Sequence, residues 1–317
     1  MIKVDLITGF LGAGKTTFIR EYVTYLISTG EKVAIIENDF GAVNIDMVLL
    51  QDCLGDNCNL EMIVGGDGQE AHKRRLRTKL ISMGMSGYTR VVIEPSGIFD
   101  ADEFFDILYE EPLDRWYEIG SVIAIVDAQT MSFPDDTMRY IFISEAAWAG
   151  KLVFSKTDSG TDIPGIVDYI NKTMEEFGCG TRFIESRDVI AKAFGDLNEE
   201  DYSVLRDSGY RKSSYTKLTT VENQFLPLFY FDVEMPEELL ISTVRSLFND
   251  KKAGNIIRVK GFVKVAEEAQ LQINATRDKV ETAEGHSSRN VLIIIGEQLN
   301  KKYINDIWRD YCSVISL

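Results

Sequence analysis

Residues 4–17 read Val-Asp-Leu-Ile-Thr-Gly-Phe-Leu-Gly-Ala-Gly-Lys-Thr-Thr, and this stretch decides the fold of the chain. A short apolar run leads into Gly9-x-x-x-x-Gly14-Lys15-Thr16, and apolar residues at helical spacing follow from Thr17. A strand, a glycine-rich loop and a helix in this order are the context in which such a loop binds phosphate. The stretch therefore predicts a nucleoside triphosphate site with magnesium.

The members of this loop contribute to phosphate binding in different ways. The glycines let successive backbone N–H groups turn towards phosphate oxygens, and the start of the following helix adds partial positive charge. Lys15 is expected to reach the β- and γ-phosphates, and the hydroxyl of Thr16 to occupy one Mg²⁺ coordination position. The predicted nucleotide-binding residues of this segment are Gly9, Gly12, Ala13, Gly14, Lys15, Thr16 and Thr17.

Composition narrows the classes of partner. The 317 residues include 34 Lys and Arg against 50 Asp and Glu, a formal net charge of −16. A field of this sign repels nucleic acid and anionic membranes, so neither is expected as a partner. No apolar stretch approaches the ~18 residues of a membrane-spanning helix and no signal-type segment opens the chain, so we expect a cytoplasmic protein. The four cysteines, at 53, 58, 179 and 312, are few and scattered and are expected to be reduced thiols.

Apolar runs alternate with helical patterns through residues 1–215, which predicts one nucleotide-binding domain. Alternating strands and helices form parallel sheets through crossover connections, so the expected class is α/β, a P-loop NTPase with a doubly wound, mainly parallel sheet. The first helix is predicted over 15–28, and the polar segment 206–217 is predicted to be a linker. The predicted strands are 3–8, 32–37, 89–94, 121–127, 151–155 and 182–184.

Residues 222–317 follow a different pattern and predict a second, smaller domain. Strands are grouped together there, and helices are predicted near the two ends, over 236–248 and 300–311. This grouping is typical of an α+β domain, here of ferredoxin-like type. The predicted strands are 229–233, 256–265, 268–274, 278–283 and 291–295.

The segment Ser155-Lys156-Thr157-Asp158 is the predicted reader of the nucleotide base. Guanine offers two donors, N1–H and the exocyclic amine, which one carboxylate accepts together, whereas the acceptor N1 of adenine would repel Asp158. We therefore expect GTP, with the stem of Lys156 covering the purine. The usual motif is Asn-Lys-x-Asp, so Ser155 is a departure that is expected to weaken contact with the purine N7 or with the phosphate loop.

Acidic residues follow the second and third predicted strands. Glu37 and Asp39 come after the run 33–36, and Glu94 comes after 91–93. Carboxylates at the carboxyl ends of parallel strands face the ligand crevice, where they bind Mg²⁺ or orient the attacking water. Gly97 lets a backbone N–H approach the γ-phosphate, as a switch loop must. Spacing alone does not choose which of the three carboxylates holds the metal.

Taken together, these motifs resemble those of the CobW-like GTPases, relatives of the HypB and UreG metallochaperones. The resemblance rests on the loop at 9–17, Glu-Asn-Asp-Phe-Gly-x₃-Ile-Asp at 37–46, Glu-Pro-Ser-Gly at 94–97, Ser-Lys-Thr-Asp at 155–158, Arg-Val-Lys-Gly at 258–261 and Ile-Gly at 295–296. It implies GTP hydrolysis coupled to delivery of a metal or a metal-containing cofactor to a client protein. It also implies that Thr16 and one or more of Glu37, Asp39 and Glu94 belong to the Mg²⁺ shell, and that the second domain contacts clients or a second subunit.

One departure from the family concerns the metal. Members usually carry Cys-x-Cys-Cys after a Glu-Leu-x-x-Gly stretch, but here Glu61-Met-Ile-Val-Gly65 is followed by Gly-Asp-Gly-Gln at 66–69. No thiol remains there to bind a soft metal. Cys53 and Cys58 lie just upstream, and with Asp52, Asp56, Asp67 or His72 they would rebuild a transition-metal site; otherwise they are two buried or incidental thiols.

Three functions follow as alternatives. The first is a GTPase that delivers metal, and the second is a nucleotide-gated switch that assembles a client without carrying metal. The third, a phosphotransferase or ATP-dependent ligase, lacks an acceptor-binding motif. Because no arginine finger or unambiguous general base is identifiable, turnover is expected to be slow and to depend on a client or on a homodimer partner.

Overall fold

The computed structural model describes residues 1–39, 50–64, 69–95, 101–129, 136–216, 225–267, 269–277, 279–285 and 290–315. These residues form two compact units, the first from 1–39 and 50–216 and the second from 225–315. The predicted domain bounds, 1–215 and 222–317, remain a prediction. In the part of the chain described, no helix combines the length and apolar character needed to cross a bilayer.

The first unit is built on a seven-stranded sheet in which every pair of neighbouring strands is parallel. The strand order is β3-β2-β4-β1-β5-β6-β7, so β1 is central and β4 and β5 flank it. Strands buried on both faces read as continuous apolar runs, which is why the sequence identified most of them. The strands are β1 Ile2–Thr8, β2 Val33–Asp39, β3 Cys58–Val64, β4 Arg90–Glu94, β5 Tyr117–Asp127, β6 Lys151–Ser155 and β7 Val189–Ile190.

Helices cover both faces of this sheet, as the doubly wound prediction requires. On one face Phe18 and Tyr22 of the first helix pack with Ile7 and Ile35; on the other, Phe104 and Phe142 pack with Leu6. The predicted α/β class is therefore confirmed. The helices are α1 Lys15–Ser28, α2 Gln69–Gly84, α3 Ala101–Leu108, α4 Leu113–Trp116, α5 Asp136–Ala147, α6 Ile163–Glu176, α7 Glu185–Asp188 and α8 Glu199–Arg206.

A buried ion pair joins the central elements of the first unit. Asp5 on β1 accepts hydrogen bonds at 2.8 and 2.7 Å from Arg90 Nη1 on β4. Its carboxylate also accepts from the Tyr22 hydroxyl at 2.8 Å and from the Ser121 N–H at 2.9 Å. Three strands and α1 are thus tied to one carboxylate, which the sequence analysis did not identify.

The second unit is a six-stranded antiparallel sheet with two helices. Its strand order is β11-β10-β9-β12-β8-β13. Trp308 and Val244 of the helices are buried against Tyr230 and Leu292 of the strands. The smaller α+β domain predicted from the grouped strands is confirmed. Its elements are β8 Phe225–Phe231, α9 Glu237–Asn249, β9 Asn255–Ala266, β10 Ala269–Ala275, β11 Val280–Glu284, β12 Val291–Glu297, α10 Lys301–Trp308 and β13 Val314–Ile315.

The strand predicted at 182–184 is wrong, and a strand at 58–64 was missed. The backbone N–H and carbonyl of Phe183 bond to the side-chain amide of Asn171 at 2.8 and 2.9 Å instead of to a neighbouring strand. The last strand of the sheet is β7, a few residues further on. The missed strand, β3, lies at the sheet edge, where polar residues such as Asn59 and Glu61 interrupt the apolar run.

The segment predicted as a linker packs on the first unit. Val122 N–H donates to the carbonyl of Gly209 at 2.8 Å, and Arg211 N–H donates to the carbonyl of Trp148 at 2.9 Å. Polar composition suggested a solvated connection here. The backbone bonds satisfy those polar groups within the fold instead.

Candidate nucleotide site

The glycine-rich loop joins β1 to α1 at the centre of the sheet. Gly9 has φ 138°, and a Cβ added there would lie 2.3 Å from the carbonyl oxygen of Ile125, so only glycine fits. Gly14 has φ 97° and precedes the first residue of α1. Ala13 N–H donates to the carbonyl of Phe10 at 3.1 Å, which closes the turn. This backbone needs left-handed residues where the sequence supplies glycine.

Lys15 and Thr16 begin α1 and are both buried. Lys15 Nζ donates to the carbonyl of Gly9 at 2.6 Å, so the ammonium folds back over the loop. Thr16 Oγ1 lies 3.1 Å from each carboxylate oxygen of Glu94. Thr17 is exposed at the start of the helix. A positive charge and a hydroxyl therefore stand at the carboxyl end of the central strand, where a triphosphate would enter.

Two of the predicted carboxylates lie side by side at this edge. Glu37 on β2 and Glu94 on β4 are partners in the sheet register, and their exposed fractions are 2% and 7%. Together with the hydroxyl of Thr16 they offer hard oxygen ligands, which suit Mg²⁺. Asp39 ends β2, two residues beyond Glu37. The side chain of Asp39, and Gly97 as a whole, lie outside the described residues.

The predicted base-reading segment lies next to the loop. Ser155 ends β6 and is buried, with Oγ donating to the carbonyl of Val126 at 3.3 Å. Lys156 has φ 54°, a left-handed conformation unusual for lysine, and its Nζ donates to the carbonyl of Gly12 at 3.0 Å. Asp158 is exposed, and its Oδ1 accepts from Gly160 N–H at 2.8 Å. The carboxylate is thus held at the surface by its own loop, two residues after the lysine that contacts the phosphate loop.

Two acidic residues of this region were missed by the sequence analysis. Asp127, which ends β5, accepts from Lys156 Nζ at 2.6 Å and so helps to hold the left-handed lysine. The signal for Asp127 was available, because an acid at the carboxyl end of a strand faces the crevice. The second residue is Glu145 on α5, and nothing in the local sequence pattern identified it.

Glu145 brings a carboxyl group into the interior of the first unit. The residue is 2% exposed, and its two carboxyl oxygens have no hydrogen-bond partner among the described residues. Burial raises the pKa of Glu145 well above its usual value, and the nearby charge of Lys15 only partly offsets this. Its backbone carbonyl accepts from Thr8 Oγ1 at 2.8 Å, at the end of β1. Burial therefore favours the neutral form of this acid, close to the loop lysine.

Cys53 and Cys58, the predicted ligands of a transition metal, lie in surroundings that do not favour metal binding. Burial raises the pKa of Cys58 to about 12 and also raises the pKa of Cys53. Metal binding needs the thiolate, which these pKa shifts disfavour. Within the described ranges, no three His, Cys, Asp or Glu side chains gather closely enough to hold a metal ion. Asp67 and the His72 side chain fall outside those ranges.

The glycine loop after the central strand, its lysine and threonine, and the paired carboxylates at the ends of β2 and β4 are features of the P-loop nucleotide-binding class. Within that class the chain belongs to the CobW/HypB/UreG family. Residues 3–185 match the nucleotide-binding domain of that family, and residues 228–312 match the cobalamin synthesis protein cobW C-terminal domain. The family resemblance drawn from the motifs is confirmed.

Individual relatives match part of the chain. It is 32% identical over 167 residues to the zinc chaperone YjiA of Escherichia coli (strain K12), 50% of each chain. It is 30% identical over 162 residues to the zinc chaperone YeiR of the same strain, 51% of this chain and 48% of YeiR. The chain thus spans about half the length of the curated relatives it matches.

Two solved structures align with this chain at low sequence identity. The alignment with the Zn(II)-bound YjiA GTPase from E. coli includes 98% of this chain and 99% of YjiA, with 19% identity and a TM-score of 0.38. The alignment with hydrogenase maturation factor HypB from Archaeoglobus fulgidus includes 65% of this chain and 89% of HypB, with 15% identity and a TM-score of 0.41.

Proposed function

We propose that this protein binds GTP with Mg²⁺ and hydrolyses the γ-phosphate slowly. The observation that carries the proposal is the contact of Thr16 Oγ1 with both oxygens of Glu94 at 3.1 Å, beside the folded Lys15. A hydroxyl and a carboxylate placed together at the start of the loop helix are the ligands that P-loop NTPases use for magnesium. Membership of a family of GTPases supports the same assignment.

The residues of the loop would stabilise charge during transfer of the phosphoryl group to water. Lys15 would exchange the carbonyl of Gly9 for oxygens of the β- and γ-phosphates, where its charge offsets the charge of the transition state. Thr16 and Glu94, with Glu37 or Asp39, would hold Mg²⁺. When bound, Mg²⁺ supplies positive charge at the same phosphate oxygens. One of these three carboxylates would orient the attacking water.

Selectivity for guanine would come from Asp158. Its carboxylate lies on the loop after β6, fixed by Gly160 and by Thr161 Oγ1, which donates to Oδ1 at 3.1 Å. The stem of Lys156 crosses from this loop to Gly12 and would form one wall of the purine pocket. Ser155 points to a backbone carbonyl of β5, so the usual asparagine contact is replaced by a shorter hydroxyl.

Hydrolysis would be coupled to delivery of a metal or metallocofactor, or to assembly of a client protein in the cytoplasm. Relatives named zinc chaperones support this class of function. A second candidate, a nucleotide-gated switch without metal cargo, is favoured by Gly66-Asp67-Gly68-Gln69 in place of thiols and by the raised pKa values of Cys53 and Cys58. In either case residues 222–317 would contact the client or a second copy of the chain.

The GTPase assignment is tested by comparing the wild-type protein with Lys15→Ala. We expect saturable, Mg²⁺-dependent GTP binding and slow release of phosphate by the wild type, and loss of both in the variant. Lys32→Ala, a lysine near Tyr88 on the same unit, is the charge-matched control and should behave as wild type. Equal phosphate release by all three proteins would refute hydrolysis at this site.

Metal titration separates a carrier from a switch. Zinc and cobalt are titrated into wild type and into the Cys53→Ser, Cys58→Ser double variant, with and without GTP. If the protein is a carrier that uses these thiols, the wild type binds metal and the double variant does not. Binding by neither protein removes the carrier hypothesis, and equal binding by both moves the metal site away from these two cysteines.

A further inference from the structure

A pocket rich in basic side chains lies in the first unit, at the sheet edge opposite the phosphate loop. Its volume is about 520 Å³, and its lining includes Gly150 just before β6 and Asp188 just before β7. The loop at 9–14 follows the carboxyl end of β1 instead. Because the strands are parallel, the amino ends of β6 and β7 and the carboxyl end of β1 stand at opposite edges.

The charge of this pocket is opposite to that of the whole protein. Its lining includes Arg182, Arg187, Arg211 and Lys212, and Asp188 is the single acid among the lining residues. The chain as a whole carries a net charge of −16. With four basic residues against one acid, the lining has an excess of positive charge that a bound anion would offset.

Part of the pocket is held rigidly. Arg211 is 15% exposed at its side chain; its guanidinium stacks 4.3 Å from the centre of the Phe183 ring, and Nη2 lies 2.8 Å from Asp188 Oδ2. Arg187 Nε donates to Asp188 Oδ1 at 2.7 Å. Burial by itself would raise the pKa of Asp188, but hydrogen bonds from Arg187, the Ile184 N–H and Arg211 hold it below the usual value. The acid therefore stays ionised and orients both guanidinium groups.

Other groups in the pocket keep hydrogen-bonding capacity for a ligand. Arg182 and Lys212 are exposed, and their head groups have no acidic partner within the described ranges. Both cations can therefore donate hydrogen bonds to an anion that enters the pocket.

We propose that this pocket binds a small, multiply charged oxyanion of the phosphate or phosphate-ester class. Guanidinium groups match the geometry of phosphate oxygens through paired N–H donors, and three of them line this pocket. The site is an open depression, so a small anion can enter it from solvent. This site is separate from the nucleotide loop and does not depend on the proposed GTPase function.

The test uses full-length protein carrying Lys15→Ala, so that the phosphate loop contributes little. Inorganic phosphate, inorganic pyrophosphate and glycerol 3-phosphate are titrated at low ionic strength and followed by calorimetry. The pocket variant is Arg182→Gln with Lys212→Gln, two exposed residues whose loss leaves the pairs around Asp188 intact. Lys251→Gln with Lys252→Gln, two exposed lysines of the second unit, makes the same change in charge.

We expect saturable, salt-sensitive binding that is about tenfold weaker in the pocket variant and unchanged in the control pair. If glycerol 3-phosphate binds more tightly than the two inorganic anions, the ligand is a phosphate ester. If the inorganic anions bind more tightly, the ligand is a free phosphate or pyrophosphate. The proposal is overturned by no saturable binding, by equal weakening in both variants, or by an oligoglutamate peptide binding more tightly than every phosphate probe. Binding of GTP to the protein with Lys15 intact is measured separately, so failure here leaves that result unaffected.

Discussion

Glu145 and Lys15 place a carboxyl group and an ammonium group in one buried region next to the phosphate loop. The lysine acts there as a cation, because its positive charge adds to the backbone N–H groups in stabilising phosphate oxygens. The carboxyl group of Glu145 does not have to be charged for phosphate binding, and burial favours its neutral form. Glu145 therefore binds its proton more tightly in the folded protein than in the unfolded chain.

This proton gives a pH-dependent effect on stability. Because the pKa of Glu145 is raised on folding, its proton favours the folded state at low pH, and that contribution is lost as pH rises from about 4.5 towards the folded-state pKa. Glu145→Gln preserves the shape of the side chain but removes the group that titrates. We expect the variant to gain stability relative to wild type as pH rises, by up to about 1.4 kcal/mol per pH unit. Urea unfolding at pH 5 and pH 8 measures this. Parallel profiles for wild type and variant would contradict it, and exposed Glu175→Gln is the control.

Thr16 and Thr17 are adjacent threonines in different environments, which makes them a matched pair. Thr16 contacts Glu94, whereas Thr17 is exposed. Thr16→Ala should raise the Mg²⁺ concentration needed for half-maximal GTP hydrolysis about tenfold, because a hydroxyl that contacts a charged group is lost. Thr17→Ala should leave that concentration near the wild-type value. The same Mg²⁺ dependence in both variants would remove Thr16 from the metal shell.

Asp158 tests the choice of base. Asp158→Asn replaces an acceptor by a group that also donates, so its contact with the guanine donors is impaired and its repulsion of adenine is relieved. The ratio of GTP to ATP affinity should fall about tenfold or more. Competition binding measures the ratio, and exposed Asp168→Asn on α6 is the charge-matched control. An unchanged ratio would show that another residue reads the base.

At the scale of elements, the phosphate loop depends on how β1 is held between its neighbours. Asp5 and Arg90 tie β1 to β4, and their side chains are 0% and 3% exposed. Removing one partner of such a pair leaves a buried charge without compensation. The pair therefore sets the position of the strand that leads into the loop.

Arg90→Met should lower the free energy of unfolding by about 3–5 kcal/mol. The control lies on β1, the strand that carries Asp5. Lys3 pairs with Glu118 at 3.1 Å, with side chains 43% and 38% exposed, so Lys3→Met should cost at most about 1 kcal/mol. Equilibrium urea unfolding measures both variants. Similar losses for the two would mean that the buried pair has no special role in stability.

At the scale of the whole molecule, the proposed GTPase lacks a recognisable arginine finger. Such a residue supplied by a partner accelerates related enzymes by about 10³–10⁵-fold. If a second copy of this chain supplies the missing group, phosphate release per chain should rise with protein concentration; if a client does, it should rise only when the client is added. Turnover that is fast in dilute protein and indifferent to both would contradict a partner-dependent mechanism.

Much of the fold followed from the sequence because its signals are local. The helix 15–28 and the strand 151–155 were predicted with the bounds that the structure has. The errors arose where contacts with residues far apart in the sequence decide whether a segment forms a strand. Phe183 has an apolar, strand-like neighbourhood, but the amide of Asn171 takes its backbone bonds. The edge strand 58–64 forms because β2 lies beside it, although its own pattern is interrupted.

The sequence by itself determined the phosphate loop, because glycine spacing, lysine and threonine act within a few residues of one another. It also supplied three carboxylates without ranking them. Only the tertiary structure decided that Glu94 meets Thr16 across 78 positions, since β4 pairs directly with β1. Crossover connections likewise bury Glu145 behind the loop and gather the basic pocket from segments far apart in the chain. Contacts of this kind depend on strand order, which no local pattern contains.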